Sequence, residues 1–190
     1  MFHLGMWRER LRNGLADLAE GREFTPAPSN IDEVNDAELA NGIGTPLTDA
    51  AARSDRLLAE IIDLYSRLGD QPFEWSIAKT TTAAVLRNSY THPRVHLHTY
   101  LTENGEKSRA NEIFEDAYTE MKAADAPSLI LATVAYNLAC VRATQGRLDE
   151  AIDSLEEAAR HRPEITSQAP DEAELAILRD DPRFQELVKS

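Results

Sequence analysis

Two of the five histidines have a spacing that could hold a metal ion. His92 and His96 are four residues apart, so on a helix both imidazoles would lie on one face, within reach of a single ion. Such pairs also occur on protein surfaces that bind no metal, and the spacing alone leaves both interpretations open. His98 lies two residues beyond His96 and points away from that face. His161 is in the last turn of a predicted helix, where a positive charge favours the helix dipole.

Other patterns that could perform chemistry are weak. The single Cys140 falls at a helix-packing position, which favours a small buried hydrophobe over a nucleophile. The acidic residues Glu112, Glu115, Asp116 and Glu120 follow one predicted helix, a pattern typical of a solvated face. The sequence contains no glycine-rich phosphate loop, no zinc-type cysteine pair and no nucleophile elbow.

Composition excludes several classes of function. The 190 residues carry a formal net charge of −13, which disfavours contact with nucleic acid and with anionic membranes. The longest apolar stretch, 128–141, includes Asn137 and is shorter than the roughly 20 residues of a membrane span. No secretory leader is recognised, because Arg8 follows the start within a few residues, and a lone cysteine fits a reducing compartment. We therefore expect a cytoplasmic protein.

The first half of the chain predicts helices that could position these histidines. One helix face is formed by apolar residues at steps of three and four, namely Leu4, Trp7, Leu11, Leu15 and Leu18. Gly21 is expected to stop that helix, and the glycines in 42–44 the next. Thr45 as N-cap and Pro46 as first helical residue begin a third helix that ends near Gly69.

A further helix is predicted from Ser76 towards Tyr90, with a weaker apolar face. Pro93 would kink or restart it, because proline lacks the backbone donor that a helix interior needs. The chain as a whole is therefore predicted to be all-α.

The second half contains an internal repeat with an offset of 41 residues. The two spacings that match are Gly105, Ala110, Phe114 and Ala117, and Gly146, Ala151, Leu155 and Ala158. The second unit continues the pattern with Tyr136, Asn137, Leu138, Ala139, Gln145, Asp149, Glu150, Ile152 and Pro163.

These residues resemble the tetratricopeptide consensus. The resemblance implies antiparallel helix pairs that cross closely at alanines and can bind a protein partner, although Arg142 replaces the usual aromatic residue. Binding grooves of this kind need about three repeats, and here there are at most two. A structural cap and a partner-binding tail therefore remain equal alternatives. Two short helices are predicted to close the chain, one across Glu172 to Leu178 and one begun by Asp181 and Pro182.

A second pattern covers residues 1 to about 104. It comprises His3, Leu4, Trp7, Glu9, Arg10 and Leu11, then Ile31, Asp32, Glu33, Val34 and Asn35, and finally Trp75, Ala78, Thr80, Asn88, Tyr90, His92 and His96. Together these residues resemble the DinB-like four-helix-bundle family, which includes thiol transferases. The resemblance implies that His3, His92 and His96 bind a divalent metal ion, such as Zn, Ni or Fe, with one coordination position open to water, a thiolate or a small-molecule substrate.

We therefore expect a DinB-like bundle over residues 1–104 and a tetratricopeptide-like tail over 105–190. The family has a helix before the position of His3, so the resemblance implies that the first helix is missing. Its absence would leave Leu4, Trp7 and Leu11 partly uncovered and favour a homodimer. One functional hypothesis is a metal-dependent protein that acts on a small molecule, with thiol-dependent transfer as an option. The alternative is a non-enzymatic scaffold with a degenerate metal site.

Overall fold

A computed structural model describes residues 1–189 and confirms the all-α class. The chain divides into two compact units, Met1–Pro93 and Arg94–Ser190. The sequence pattern predicts a division near residue 104, whereas the contacts place it in the first turn of a helix that ends at Glu103.

The first unit is helical apart from one hairpin and an irregular connector over residues 20–30. Its elements are α1 (Phe2–Ala19), α2 (Ile31–Gly42), α3 (Leu47–Leu68), β1 (Pro72–Trp75), β2 (Ala78–Thr80), α4 (Thr81–Leu86) and a π-helical segment (Arg87–Thr91). The glycine stops occur as expected: α2 ends at Gly42, and Gly69 follows α3 with a positive φ of 64°. Pro46 is the N-cap of α3, so this helix begins at Leu47, one residue later than predicted.

Packing of α1 against α3 forms the core of the first unit. Leu11 and Leu15 of α1 and Ile61 of α3 are fully buried. Trp7 is buried as well, whereas Leu4 is half-buried, so the expectation of partly uncovered side chains is wrong for Trp7 and Leu11. The elements of this unit cover both side chains.

A β-hairpin replaces the start of the helix predicted from Ser76. Strands β1 and β2 pair antiparallel, and Ser76 between them has a φ of 56°. Phe73 and Trp75 point inward from β1 and stack with ring centroids 5.6 Å apart. The helix begins only at Thr81, where the Thr80 hydroxyl accepts a hydrogen bond from the Ala83 backbone N–H.

The second unit is built from helices and short turns. Its elements are α5 (His92–Glu103, which starts two residues before the unit boundary), α6 (Lys107–Ala123), α7 (Ser128–Thr144), α8 (Leu148–His161), two 3₁₀ turns (Pro163–Gln168 and Ala176–Leu178) and α9 (Pro182–Leu187). Helices α7 and α8 cross closely because Ala139, Ala151 and Ala158 are small and fully buried at the contact. Gly146, with a φ of 75°, makes the turn between them.

Arg142 connects three helices of this unit. Its guanidinium donates to both carboxylate oxygens of Glu115 on α6, at 3.1 and 2.7 Å, and to the Ser154 hydroxyl on α8 at 2.9 Å. The replacement of an aromatic residue by Arg142 predicts weaker packing to a neighbouring repeat. A bidentate ion pair instead links α7 to α6.

The C-terminal elements cover the α7–α8 pair. Asp181 caps α9 by accepting from the Arg183 backbone N–H at 2.8 Å, as predicted. Phe184 and Leu178 are buried in the same apolar cluster as α7 and α8. The helix predicted from Glu172 to Leu178 is only a short 3₁₀ turn at its end.

Within residues 1–189, no helix combines the length and the apolar character that crossing a membrane requires.

Candidate metal centre

The first turn of α1 carries His3 and is held by packing on both sides. The Phe2 ring lies against Gly42 at the end of α2, so closely that a Cβ at Gly42 would be 2.6 Å from Phe2 Cδ1. The Arg53 guanidinium of α3 lies 5.7 Å from the centroid of the same ring. His3 therefore extends from a turn whose position is fixed by α2 and α3.

One turn further along α1, Trp7 links three elements. Its indole N–H donates to Asn35 Oδ1 of α2 at 3.0 Å, and its backbone carbonyl accepts from Asn88 Nδ2 at 3.1 Å. Asn88 is buried in the π-helical segment, four residues before His92. This contact sets the distance between α1 and the start of α5.

The π-helical segment explains how a proline fits beside His92. The His92 N–H donates to the Arg87 carbonyl, five residues back, instead of to the residue four back. Pro93 has no N–H, and its ring would clash with a carbonyl four residues earlier in a regular helix. The wider turn removes that clash, so α5 continues from His92 without a break.

The three predicted ligands meet at the start of α1 and α5. The Nε2 atoms of His3 and His92 are 3.2 Å apart, and the two rings are nearly perpendicular, with centroids 5.1 Å apart. One nitrogen from each of His3, His92 and His96 lies within 4.8 Å of the other two. His96 is the most exposed of the three, and the other two are half-buried.

This donor set fits a tetrahedral divalent metal ion. With bonds of about 2.0–2.1 Å, two imidazole nitrogens on one zinc ion lie about 3.3 Å apart, close to the separation of His3 and His92. Three neutral imidazoles also leave a fourth position for a non-protein ligand. The same 3.2 Å is a hydrogen-bond distance if one imidazole donates to the other, so the metal-free pair has a favourable arrangement too.

The other two histidines do not join this cluster. His98 packs against the Phe114 ring with centroids 5.2 Å apart, and burial lowers its pKa. His161 lies 3.7 Å from Glu157 in the last turn of α8. Burial also lowers the pKa of His96, which favours the neutral form that a metal requires.

The remaining candidates have structural roles. Burial raises the pKa of the Cys140 thiol to about 12, which leaves almost no thiolate at neutral pH. Hydrogen bonds from Arg142 and Arg147 lower the pKa of Glu115, so this carboxylate serves an ion-pair network. Sequence reasoning missed the linking role of Trp7, Asn35 and Asn88, because no spacing rule connects residues of three separate elements.

Comparisons of the chain with protein-family models, with curated proteins and with solved structures find no match. The geometry of the three histidines is thus the observation from which a function can be inferred.

Proposed function

We propose that the protein binds one divalent metal ion through His3, His92 and His96 and acts on a small molecule at the open coordination position. The observation that carries this proposal is the convergence of three ring nitrogens within 4.8 Å of one another. Two of the ligands share a helix, and the third comes from a helix 89 residues earlier in the chain.

The surroundings of the cluster support a functional role. Residues of α2, α3 and the π-helical segment fix α1 beside His92 through Phe2, Trp7 and Asn88. Such supporting contacts orient ligands and maintain metal affinity. Trp7 and Asn88 belong to the pattern that resembles the DinB-like family, for which a three-histidine site is expected.

When bound, the ion would lower the pKa of a water or thiol on its open position and so supply a nucleophile. The chain's own contribution is to hold three neutral imidazoles in place. The greater exposure of His96 leaves its side of the cluster accessible to a substrate. Thiol-dependent transfer is the reaction class that we favour.

Metal analysis of the purified chain tests the proposal. We expect about one zinc or cobalt ion per chain after chelator treatment and reloading, and loss of that ion in the His92→Ala, His96→Ala double variant. His98→Ala is the matched control, because His98 lies on the same helix outside the cluster. Equal metal content in all three proteins would rule out the site.

The cobalt-loaded protein separates metal binding from chemistry. We expect 2-mercaptoethanol to produce a sulfur-to-cobalt charge-transfer band if the open position accepts a thiolate. A spectrum that does not change with thiol would retain the metal site and rule out the thiol-dependent reaction.

A second candidate function is partner binding by the second unit. Helix α5 exposes Leu97 and Tyr100, at 48% and 60% of their surfaces, three residues apart and therefore on one face. Such apolar exposure is typical of a protein-binding face. A Leu97→Asp, Tyr100→Asp variant should lose a co-purifying partner that the His92→Ala, His96→Ala variant keeps. If the Leu97→Asp, Tyr100→Asp variant also keeps the partner, this function is ruled out.

A further inference from the structure

A pocket in the first unit lies between the second half of α1 and the irregular connector that follows it. Its volume is about 620 Å³, within the range of small-molecule sites. Arg10, Arg12 and Asn13 contribute polar groups from α1, whereas Pro26 and Trp75 contribute apolar surface from the connector and the hairpin. Two carboxylates, Asp17 and Glu20, also line the pocket, and both pair with Arg22.

The walls of this pocket are fixed by aromatic packing. Phe24 of the connector packs on Phe73 of β1, with ring centroids 4.6 Å apart, and Phe73 stacks on Trp75. Trp75 approaches α1 closely because residue 14 is glycine: a Cβ there would be 2.9 Å from Trp75 Cζ3. The connector is therefore tied to the hairpin, and the pocket beneath it is part of the folded unit.

The three arginines that line the pocket differ in how closely they pair with carboxylates. Arg22 donates twice to Asp17, at 3.0 and 2.6 Å. Arg10, by contrast, reaches an acidic group only at 3.5 Å, on Glu38.

Arg12, like Arg10, lacks a short hydrogen bond to a carboxylate. Its Nε lies 3.3 Å from a Glu60 carboxylate oxygen, without hydrogen-bond geometry. The Nε groups of Arg10 and Arg12 are both closed off from water and have no hydrogen-bond acceptor. A buried donor without an acceptor is unfavourable, so a small rotation of either guanidinium towards an anion in the pocket would stabilise it.

We propose that this pocket binds a small organic anion, whose carboxylate or phosphate group is held by Arg10 and Arg12 and whose apolar body lies against Trp75. Guanidinium groups suit both kinds of anionic group, because their paired N–H donors match two oxygens. The site is distinct from the histidine cluster, since Arg12 lies nine positions after His3 on α1, about 13 Å along the helix axis. The proposal for this pocket does not depend on metal binding by the histidines.

Titration of the metal-free chain with benzoate, phenyl phosphate and inorganic phosphate, at constant ionic strength with chloride as the reference, tests the proposal. The readout is the indole N–H signal of each tryptophan, with Trp75→Phe used for assignment. We expect a saturable shift of the Trp75 signal that is larger than the shift of the Trp7 signal. The Trp7 indole is bonded to Asn35, and its ring centroid lies 5.8 Å from the Arg10 guanidinium. A stronger response to benzoate than to phenyl phosphate would identify a carboxylate as the preferred anionic group, and the reverse would identify a phosphate. A response to inorganic phosphate alone would overturn the proposal that the ligand has an apolar part against Trp75.

Variants then test the two arginines. We expect Arg10→Gln, Arg12→Gln to bind about tenfold more weakly or worse, and the corresponding double lysine variant to retain part of the affinity because the charge remains. Arg67→Gln is the matched control, since Arg67 lies outside this pocket and pairs with Asp63 on the surface. Equal affinity in the double glutamine variant, or no saturable Trp75 shift in the unaltered chain at millimolar anion, would overturn the proposal.

Discussion

His3 and His92 place their Nε2 atoms 3.2 Å apart across 89 positions of sequence. Without a metal, one ring must donate and the other accept, and with a metal both lone pairs must point at the ion. Metal binding requires neutral imidazoles, whereas the metal-free contact needs only one neutral ring as acceptor and is lost when both rings are protonated. The cluster should therefore respond to pH in a defined direction.

We expect the affinity for zinc or cobalt to fall as the pH is lowered from about 7.5 to about 5.5, because protons compete for the histidine nitrogens. Partial loss of solvent lowers the pKa of His96 below that of an ordinary histidine, so this ligand stays neutral to a lower pH than a fully solvated imidazole. Calorimetric titration across that range measures the effect. An affinity that does not change with pH would show that histidines do not bind the ion.

Gly42 should affect metal binding without contacting the ion. A Cβ at this position would overlap the Phe2 ring and move the turn that carries His3. We expect Gly42→Ala to weaken metal binding about tenfold, the lower end of effects from supporting residues, and Phe2→Leu in the same chain to restore part of the loss. Asn41→Ala, a change at an exposed neighbour, is the control; equal affinities for both single variants would mean that this packing does not position His3.

The Glu115–Arg142 pair should stabilise the second unit at neutral pH. The pKa of Glu115 is lowered in the fold, so its contribution is present above the unfolded pKa of about 4.3 and is lost as the pH falls through the folded value. We expect Glu115→Gln to reduce the free energy of unfolding by about 1 kcal/mol at pH 7, and the difference to vanish in acid. Urea unfolding at several pH values measures it, with Glu112→Gln, at an exposed site on the same helix, as the control expected to change little.

Cys140 should be chemically inert in the folded chain. With a thiol pKa near 12, the thiolate fraction at pH 8 is lower than in an unfolded chain by on the order of a hundredfold or more. Ellman's reagent should therefore label the native protein far more slowly than the protein in urea. Labelling at the same rate in both conditions would contradict the burial of this side chain.

Helix ends and local spacing were predictable because they depend on neighbouring residues. The stop at Gly69, the cap at Asp181 and the pairing of His92 with His96 follow from local rules. The approach of His3 to that pair was not predictable from spacing, since it depends on how α1 packs. It was expected only from the family resemblance.

The hairpin and the ion pair of Arg142 were missed for other physical reasons. Strand β1 has four residues, too few for its alternation to stand out, and its turn depends on a positive φ at Ser76. The repeat consensus has an aromatic residue at position 142, whereas the role of Arg142 depends on Glu115, 27 residues earlier. Contacts between distant residues are set by the tertiary structure.

The extra residue in the turn before His92 sets the direction of both imidazoles of α5. A helical residue rotates the chain by about 100°, so deleting one residue between Arg87 and Thr91 would swing the rings of His92 and His96 by more than a quarter of a circle away from α1. The rotation of α5 about its own axis is thus set by residues 87–91, which precede the ligands and contribute none.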